Sequence, residues 1–242
     1  MAAPEPLFYK KVVPLNKETH GKLYIEPVEG FAFAKDTNSI FIAAIEFGKV
    51  AREYPIVFGT DAQGGLFPLV LLGLKNNQNL YVDAKGKWDA EYIPAYARRY
   101  PFILATQPNG EDQQFAVCID EAYPGFNTAK EGEPLFDSKG NHTATLKQAV
   151  DFLTDYQNNI QITNSFCKNI SELGLLEPMQ ANIKMKSGEE LSLGGFSCVN
   201  REKLNALKPG KLADLVKTGQ MELVYMHLFS LTNMASLMNR LT

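Results

Sequence analysis

Acidic side chains that follow apolar segments are the first candidates for chemistry in this sequence. Asp83 closes the segment LYVD, Asp120 closes VCID, and Asp89 and Glu91 come shortly after the first of these segments. Carboxylates at strand ends can bind ligands or transfer protons. They are also frequent turn and cap residues, because they accept hydrogen bonds from nearby backbone amides. A ligand-binding role and a turn role are therefore both open for this group.

Two further side chains extend the candidate set. Trp88, the only tryptophan, lies beside the acids in KGKWDAEYIP and either anchors the following helix or lines a groove. His227 lies in the apolar stretch VYMHLF, where a buried structural histidine is the commoner case and a ligand contact is the alternative. The candidate ligand-binding residues are Asp83, Trp88, Asp89, Glu91, Asp120 and His227.

Motifs for metal, cofactor or nucleophile chemistry are missing. The histidines and cysteines share no short ligand spacing, so we predict no metal site. Neither a G-x-G-x-x-G nor a P-loop fingerprint occurs, so no cofactor is predicted. G-x-S-x-G is absent as well, and the catalytic residues, if the chain is an enzyme, are unknown. Three widely separated cysteines do not make a disulfide framework and are predicted to be buried free thiols.

Composition and charge exclude some classes of function. The chain has 242 residues, 45% of them hydrophobic, and a net charge of −3. Nucleic-acid binding normally requires a basic excess, so it is disfavoured. The N-terminus lacks the order of a signal peptide, and the longest apolar stretch, residues 65–74, is too short to span a membrane. We therefore expect a cytoplasmic protein without membrane insertion, with a dedicated secretion route left open.

One short pattern occurs twice and indicates the elements that position these residues. AREYPIVF at 51–58 returns as ARRYPFIL at 97–104. In the first copy four apolar residues fall on one helix face, and in the second copy the same positions are again apolar. The shared positions are Phe47, Val50, Ala51 and Tyr54, matched by Ile93, Tyr96, Ala97 and Tyr100.

Each copy predicts the order helix, strand, turn, strand. The proline after each tyrosine ends the helix, because the residue before proline is pushed out of the α region. We predict that residues 46–74 and 91–120 are the same unit, with Val50 and Tyr96 in the core and Arg52 and Arg98 toward solvent. The first strands of both copies are predicted to lie in one sheet.

The rest of the chain predicts a more helical half. Residues 121–142 indicate a long loop, 143–173 a helix, the segment around SG at 187–188 a hairpin, and 200–242 several helices. A short strand is also predicted at NLYVD, residues 79–83. The fold class is therefore α+β, with a mainly antiparallel sheet built from the twice-used unit and a helical C-terminal part. We expect one domain over 1–242, with possible subregions 1–120 and 143–242.

Three blocks of sequence resemble the SapC family of bacterial proteins. They are FAFAKDTNSIFIAAIEFGKVAREYPIVF, FPLVLLGLKNNQNLYVDAKGKWDAEYIPAYARRYPFIL and GEELSLGGFSCVNREKLNALKPGKLADLVKTGQMELVYMHLFSLTNMASLMNR. They occur in the family's order between about residues 31 and 240. The resemblance implies an association with a bacterial surface-layer locus, and members of the family also occur beside genes for outer-membrane uptake receptors and tryptophan-halogenase-like proteins. It supplies no catalytic residues, and the sequence contains no protease constellation that would fit the peptidase label sometimes attached to the family.

Three functional hypotheses follow. The leading one is a non-catalytic accessory or binding protein of a bacterial envelope, surface-layer or outer-membrane nutrient-uptake system, with an unknown protein or small-molecule partner. The alternative is an enzyme that acts on a small-molecule or carbohydrate-derived ligand. The third is a structural role in which the C-terminal helices form a homo-oligomer.

Overall fold

The computed structural model describes residues 6–109, 112–184 and 190–241. The chain divides into two compact units: unit 1 comprises Met1–Gly30 and Ala97–Asn158, and unit 2 comprises Phe31–Tyr96 and Asn159–Thr242. The predicted subregions 1–120 and 143–242 do not coincide with these units, because each of them contributes residues to both. A single family domain over the whole chain stays a prediction.

Strands and helices alternate through the first half of the chain, and helices dominate its end. The strands are β1 (Val12–Pro14), β2 (Tyr24–Ile25), β3 (Ser39–Phe41), β4 (Ile56–Thr60), β5 (Leu66–Leu71), β6 (Phe102–Asn109), β7 (Asp112–Asp120), β8 (Phe126–Asn127), β9 (Glu133–Pro134), β10 (Leu176–Lys184) and β11 (Glu190–Val199). The helices are α1 (Lys17–His20), α2 (Phe47–Val50), α3 (Ala95–Arg98), α4 (Ala144–Glu172), α5 (Arg201–Asn205), α6 (Pro209–Lys217), α7 (Gln220–Ser230) and α8 (Asn233–Asn239). Short 3-10 turns cover Ala32–Ala34 and Ala44–Glu46.

Unit 1 contains two small antiparallel sheets and the first part of α4. One sheet has the order β1-β7-β6 and the other β8-β2-β9. Their core is a cluster of buried side chains that burial of apolar surface stabilises. It consists of Phe102, Ile119, Leu135, Phe136, Leu146 and Leu153.

Unit 2 contains one five-stranded antiparallel sheet with the order β10-β11-β4-β5-β3. Its largest fully buried side chains include Phe47, Phe58, Phe166, Tyr54 and Tyr81. Phe166 on α4 contacts both Phe47 and Phe58, with ring centroids 6.0 and 6.2 Å away. The α+β class, the antiparallel pairing and the helical C-terminal part are therefore confirmed.

The twice-used unit is confirmed in its order of elements. α2, β4 and β5 form the first copy, and α3, β6 and β7 form the second. Val50 is completely buried and Tyr96 is half-buried, while Arg52 and Arg98 are exposed. The prediction that the two first strands share one sheet is wrong. β4 pairs with β5 and β11 in unit 2, whereas β6 pairs with β7 in unit 1, because long-range partners, not the local repeat, decide which sheet a hairpin joins.

Two local predictions also require correction. NLYVD is not a strand: Val82 forms one isolated bridge with Trp88, and the chain between them turns at Gly86, whose φ of 83° favours glycine. The apolar residues from Leu223 to Leu237 predict one long last helix, but the structure divides it into α7 and α8, and Gly219, with φ 72°, precedes α7. The α4 helix and the β10–β11 hairpin are confirmed, although the SG turn lies outside the described residues. Among the described residues no helix is long and apolar enough to cross a membrane.

Candidate functional site

Asp83 is a turn residue. Its Oδ1 accepts hydrogen bonds from the backbone amides of Lys85 and Lys87, at 2.8 and 2.9 Å. These bonds close the tight turn that precedes Trp88, which is the turn role that the sequence left open. The Asp83 side chain is exposed.

Trp88 is buried in an aromatic cluster. Its exposed fraction is 5%, and its Nε1–H donates to the hydroxyl of Tyr54 at 2.8 Å. The Tyr54 hydroxyl in turn donates to the Tyr92 carbonyl at 2.6 Å, and the Tyr54 and Tyr81 rings lie 4.5 Å apart. Burial raises the pKa of Tyr54 well above its ordinary value and that of Tyr81 to about 12. Both phenols therefore stay protonated and act as hydrogen-bond donors.

Asp89 and Glu91 form ion pairs with arginines. The Asp89 carboxylate is 2.7 Å from Arg240 Nη1, and Arg240 also donates to the Asp89 carbonyl at 3.0 Å. The same guanidinium lies 4.3 Å from the centroid of the Tyr81 ring. Glu91 and Arg52 form a looser pair at 3.7 Å, and both side chains are exposed. The Arg240 contacts hold the end of the chain against residues 81–89, and the Glu91 pair contributes little.

His227 is a buried structural histidine in unit 2. Its Nε2 accepts the Val199 amide hydrogen at 3.0 Å, so the ring proton is on Nδ1, which donates to the Ile56 carbonyl at 2.9 Å. Burial lowers the pKa of His227 from 6.5 to about 4. Both nitrogens are occupied, and the ring is neutral at physiological pH. His227 thus joins β11 to the start of β4 and has no nitrogen available to a substrate.

Asp120 is a buried carboxylate in unit 1. It accepts backbone hydrogen bonds from Lys10, Lys11 and Ala122 at 2.9–3.1 Å, and a fourth from the Tyr100 hydroxyl at 3.1 Å. Four donors match the capacity of a carboxylate. Burial raises the pKa of Tyr100, and the Asp120 carboxylate raises it further. The pair therefore fixes the N-terminal segment against β7.

The six predicted site residues therefore all have structural partners. Asp120 belongs to unit 1 and the other five to unit 2. A ligand-binding role for them stays a prediction. Within residues 6–109, 112–184 and 190–241 no cluster of His, Cys, Asp or Glu has the arrangement of a metal site. The three cysteines are buried, as predicted, and burial raises the pKa of each thiol.

Unit 1 contains a cleft of about 400 Å³, which we call the unit 1 cleft. Its base is apolar, with Ile25, Pro101, Phe102 and Ala149. Its walls carry aromatic and polar groups, among them Arg98, Tyr123, Glu133, Thr145, Gln148 and Phe152. Such a mixture of apolar surface and a few polar groups is typical of small-molecule sites.

The walls of the unit 1 cleft are held in place by contacts of their own. The Tyr123 hydroxyl accepts the Val28 amide hydrogen at 3.0 Å, and the Tyr123 ring meets the Tyr100 ring edge-on at 5.5 Å. The Arg98 guanidinium lies 5.1 Å from the centroid of Phe152. Side chains that are fixed before binding lose less conformational freedom when a ligand arrives.

Unit 2 carries a second depression of about 590 Å³, the unit 2 groove. Gly48, Ala51 and Arg52 line one side of it, and α6 and α7 line the other. The residues from these two helices are Val216, Met221, Glu222, Tyr225, Met226 and Phe229. The groove is apolar apart from the two charged side chains.

Sequence reasoning identified neither depression. Arg98 was noted only as a residue off the apolar face of its helix, and Tyr123, Gln148 and Phe152 carry no motif. The unit 2 groove had one available signal: MELVYMHLF, residues 221–229, is apolar on every side of a helix. A helix of that kind is normally covered on both faces.

Comparisons with known proteins identify the family and nothing finer. The SapC family model matches residues 15–237, nearly the whole chain. No curated protein matches the chain significantly, and no solved structure does so either.

Proposed function

Because the chain belongs to the SapC family, we propose that it is a non-catalytic accessory or binding protein of a bacterial envelope, surface-layer or outer-membrane nutrient-uptake system. We place its ligand, a polar small molecule with an apolar face, in the unit 1 cleft. The observation that carries the proposal is the chemistry of this cleft. Its aromatic side chains are held in place before a ligand arrives, and polar side chains line it as well. The nearby Asp120 carboxylate already accepts four hydrogen bonds from the protein.

The cleft favours binding over reaction. Tyr100 lines it, but the Tyr100 hydroxyl is committed to Asp120, whose oxygens accept three backbone hydrogen bonds as well. A general acid or base must reach the proton that it transfers. Asp120 is completely buried, and the Tyr100 hydroxyl is hydrogen-bonded to it. We therefore assign the pair a structural role, in which it keeps the Tyr100 side chain of the cleft rigid.

The size and the lining indicate the class of ligand. About 400 Å³ lies at the lower end of the range for small-molecule pockets. The Tyr123 ring suits the apolar face of a sugar ring or an aromatic ring, while the Phe152 ring is covered by the Arg98 guanidinium. Gln148, Thr145 and Glu133 supply hydrogen-bond donors and acceptors at the rim. A carbohydrate-derived ligand satisfies both requirements.

A thermal-shift screen with mono- and oligosaccharides from bacterial envelopes, followed by titration calorimetry of the hits, tests the proposal. Gln148→Trp places an indole in the mouth of the cleft and should remove the shift. Lys147→Trp is the matched control, because Lys147 is the exposed neighbour on α4 and does not line the cleft. Sugars that bind both variants equally, or none that binds the native chain, would contradict the proposal.

The enzyme alternative rests on Glu133, an exposed carboxylate at the rim of the unit 1 cleft. A solvated carboxylate in the same cleft as Arg98 is the kind of group that can act as a base on a bound hydroxyl. Mass spectrometry of each hit after long incubation distinguishes the two functions. Unchanged ligand supports a binding protein, whereas conversion that Glu133→Gln abolishes establishes an enzyme.

We propose further that the protein is cytoplasmic, and cell fractionation of the native host tests this location. We expect the chain in the soluble cytoplasmic fraction. Its recovery chiefly from the culture medium or the cell surface would require a dedicated secretion route and would reject this part of the proposal.

A further inference from the structure

The outer face of α7 exposes large apolar side chains. Tyr225 is 52% exposed and Phe229 62%, and Val216 on the neighbouring helix α6 is 63% exposed. Together with the other residues that line the unit 2 groove, they form what we call the α7 surface. Contiguous exposed apolar side chains beside a groove are a mark of interaction sites.

The second face of the same helix is already used inside unit 2. Val224, His227 and Leu228 are buried there, whereas Glu222, Tyr225, Met226 and Phe229 follow the spacing i, i+3, i+4, i+7 on the outer side. A helix at a protein surface normally has one apolar face and one polar face. The outer face of α7 is therefore unusually apolar for a surface helix.

The α7 surface combines a protrusion and a recess. Tyr225 and Phe229 stand beside a groove that the small residues Gly48 and Ala51 line. Gly48 leaves real space, since the nearest atom that a Cβ there would meet is Met226 Cε, at 3.7 Å. A two-fold interface uses the same patch on both molecules, so the patch has to be complementary to itself. Aromatic side chains next to a recess meet that requirement.

The charges at the groove are self-complementary in the same way. Arg52 and Glu222 both line it. Within the described residues, Arg52 has only the loose pair with Glu91, and the Glu222 carboxylate has no ion pair. A two-fold axis at the groove would bring Arg52 of one copy opposite Glu222 of the other, and the pair would then be made twice.

We propose that the α7 surface is a two-fold interface that binds a second copy of this chain. The two α7 helices pack against each other, with Tyr225 and Phe229 of each copy in the unit 2 groove of the other. Stable interfaces of standard size bury about 800 Å² per partner. The proposal is independent of the ligand proposed for the unit 1 cleft, since different residues carry it.

Charge reversal with complementation tests the interface by sedimentation at several protein concentrations. The native chain should form a dimer. Arg52→Glu and Glu222→Arg should each weaken self-association roughly tenfold or more, since each places like charges opposite one another. An equimolar mixture of the two variants should restore the dimer as a mixed pair, because the carboxylate introduced into one chain then meets the guanidinium introduced into the other. Circular dichroism verifies that each variant is folded.

Two further variants sharpen the test. Phe229→Glu should weaken the dimer roughly 30-fold or more, because aromatic anchors carry much of an interface's energy. Lys211→Glu is the matched control: Lys211 is exposed on α6 and does not line the groove, so its reversal should leave the dimer intact. A native chain that stays monomeric at every protein concentration overturns the proposal. The α7 surface would then be left as a site for a different protein. A mixture of the two reversed chains that does not reassociate overturns the proposal too.

Discussion

The two copies of the helix–strand–turn–strand unit have the same order of elements and different surroundings. In the first copy, all four positions of the apolar helix face are buried, including Val50 and Tyr54. In the second, Ala97 is buried and Ile93, Tyr96 and Tyr100 are only half-buried. The local pattern determines a helix that stops at a proline and continues into a hairpin. The depth to which that helix is buried depends on what packs against it.

The first residue of each hairpin shows the same contrast in its hydrogen bonds. Ile56 begins β4, and its N–H and C=O bond to Ser230 and His227 of α7. Phe102 occupies the equivalent position at the start of β6, and its carbonyl accepts the hydroxyl of Tyr9 at 2.7 Å. Equivalent backbone groups are thus satisfied by unrelated residues, because every buried polar group needs a partner, whatever segment supplies it.

The starts of the two copies are also in direct contact within unit 2. Glu46 and Tyr92 hold equivalent positions, and the Tyr92 hydroxyl donates to Glu46 Oε1 at 3.0 Å. The same oxygen accepts the amide hydrogen of Ala95, the first residue of α3, at 2.7 Å, while Oε2 accepts that of Ala43 at 2.8 Å. A buried acid in the first copy therefore binds the segment that begins the second copy within unit 2.

The largest effect is expected from a charge in the more buried copy. Val50→Asp forces an unpaired carboxylate into an apolar core and should lower the free energy of unfolding by roughly 3–5 kcal/mol. Tyr96→Asp, at the equivalent half-buried position, should cost clearly less, because its carboxylate can reach water. Urea unfolding followed by circular dichroism measures both. Equal losses would show that the two helices are buried alike.

Removal of the acid that links the copies comes next. Glu46→Ala leaves the amides of Ala43 and Ala95 and the Tyr92 hydroxyl without their acceptor, at a cost of about 3 kcal/mol. Glu53→Ala is a useful comparison, since Glu53 also accepts two backbone amides, those of Glu91 and Tyr92, but is only half-buried. Its loss should be smaller in the same urea titration.

Acidification should destabilise the first hairpin, which His227 contacts, before it destabilises the second. Burial lowers the pKa of His227 from 6.5 to about 4. Between pH 6.5 and 4, therefore, the His227 side chain is protonated in the unfolded chain and neutral in the folded chain. The stability is complete above pH 6.5 and falls by about 1.4 kcal/mol per pH unit, to a total near 3 kcal/mol, as the pH drops to 4. Comparison with His227→Gln, which lacks this titration, isolates the effect. Protection factors from hydrogen exchange, which correct for the slower intrinsic exchange at low pH, should fall in β4 on acidification before they fall in β6.

A smaller effect is expected at the equivalent position of the second hairpin. Tyr9→Phe removes the hydroxyl that binds the Phe102 carbonyl and leaves the ring in place. The loss should be about 1 kcal/mol, the usual net value of a neutral hydrogen bond, and it should not vary between pH 4 and 7. A loss as large and as pH-dependent as that of the histidine network would contradict the contrast drawn between the two strands.

The smallest effects are expected at the two arginines that the repeat places off its apolar face. Arg52→Ala and Arg98→Ala should each change the free energy of unfolding by about 0.5 kcal/mol or less in dilute protein, because both side chains are exposed. Arg98 also lies over Phe152, so its replacement should be the more costly of the two. A large loss at either position would mean that the exposed side of that helix is covered.

The sequence alone determined the local architecture of this protein. The spacing of Phe47, Val50 and Tyr54, the prolines at 55 and 101 and the short turns after each first strand are sufficient for two helix–hairpin units, because these preferences act within a few residues. The α4 helix and the buried cysteines followed from the same kind of signal. The order of three similar blocks identified the family, which the match over residues 15–237 confirmed.

Only the tertiary structure decided what the polar residues do. Asp120 had the position of a site residue in the sequence, but the amides of Lys10 and Lys11, more than 100 residues away, occupy it. His227 is neutral because the folded chain buries it between β4 and β11, and β4 and β6 separate into different sheets because β11 pairs with one and not the other. The unit 1 cleft and the unit 2 groove arise in the same way. Contacts between distant segments create them, and the free energy of such contacts depends on the whole fold, which no local pattern encodes.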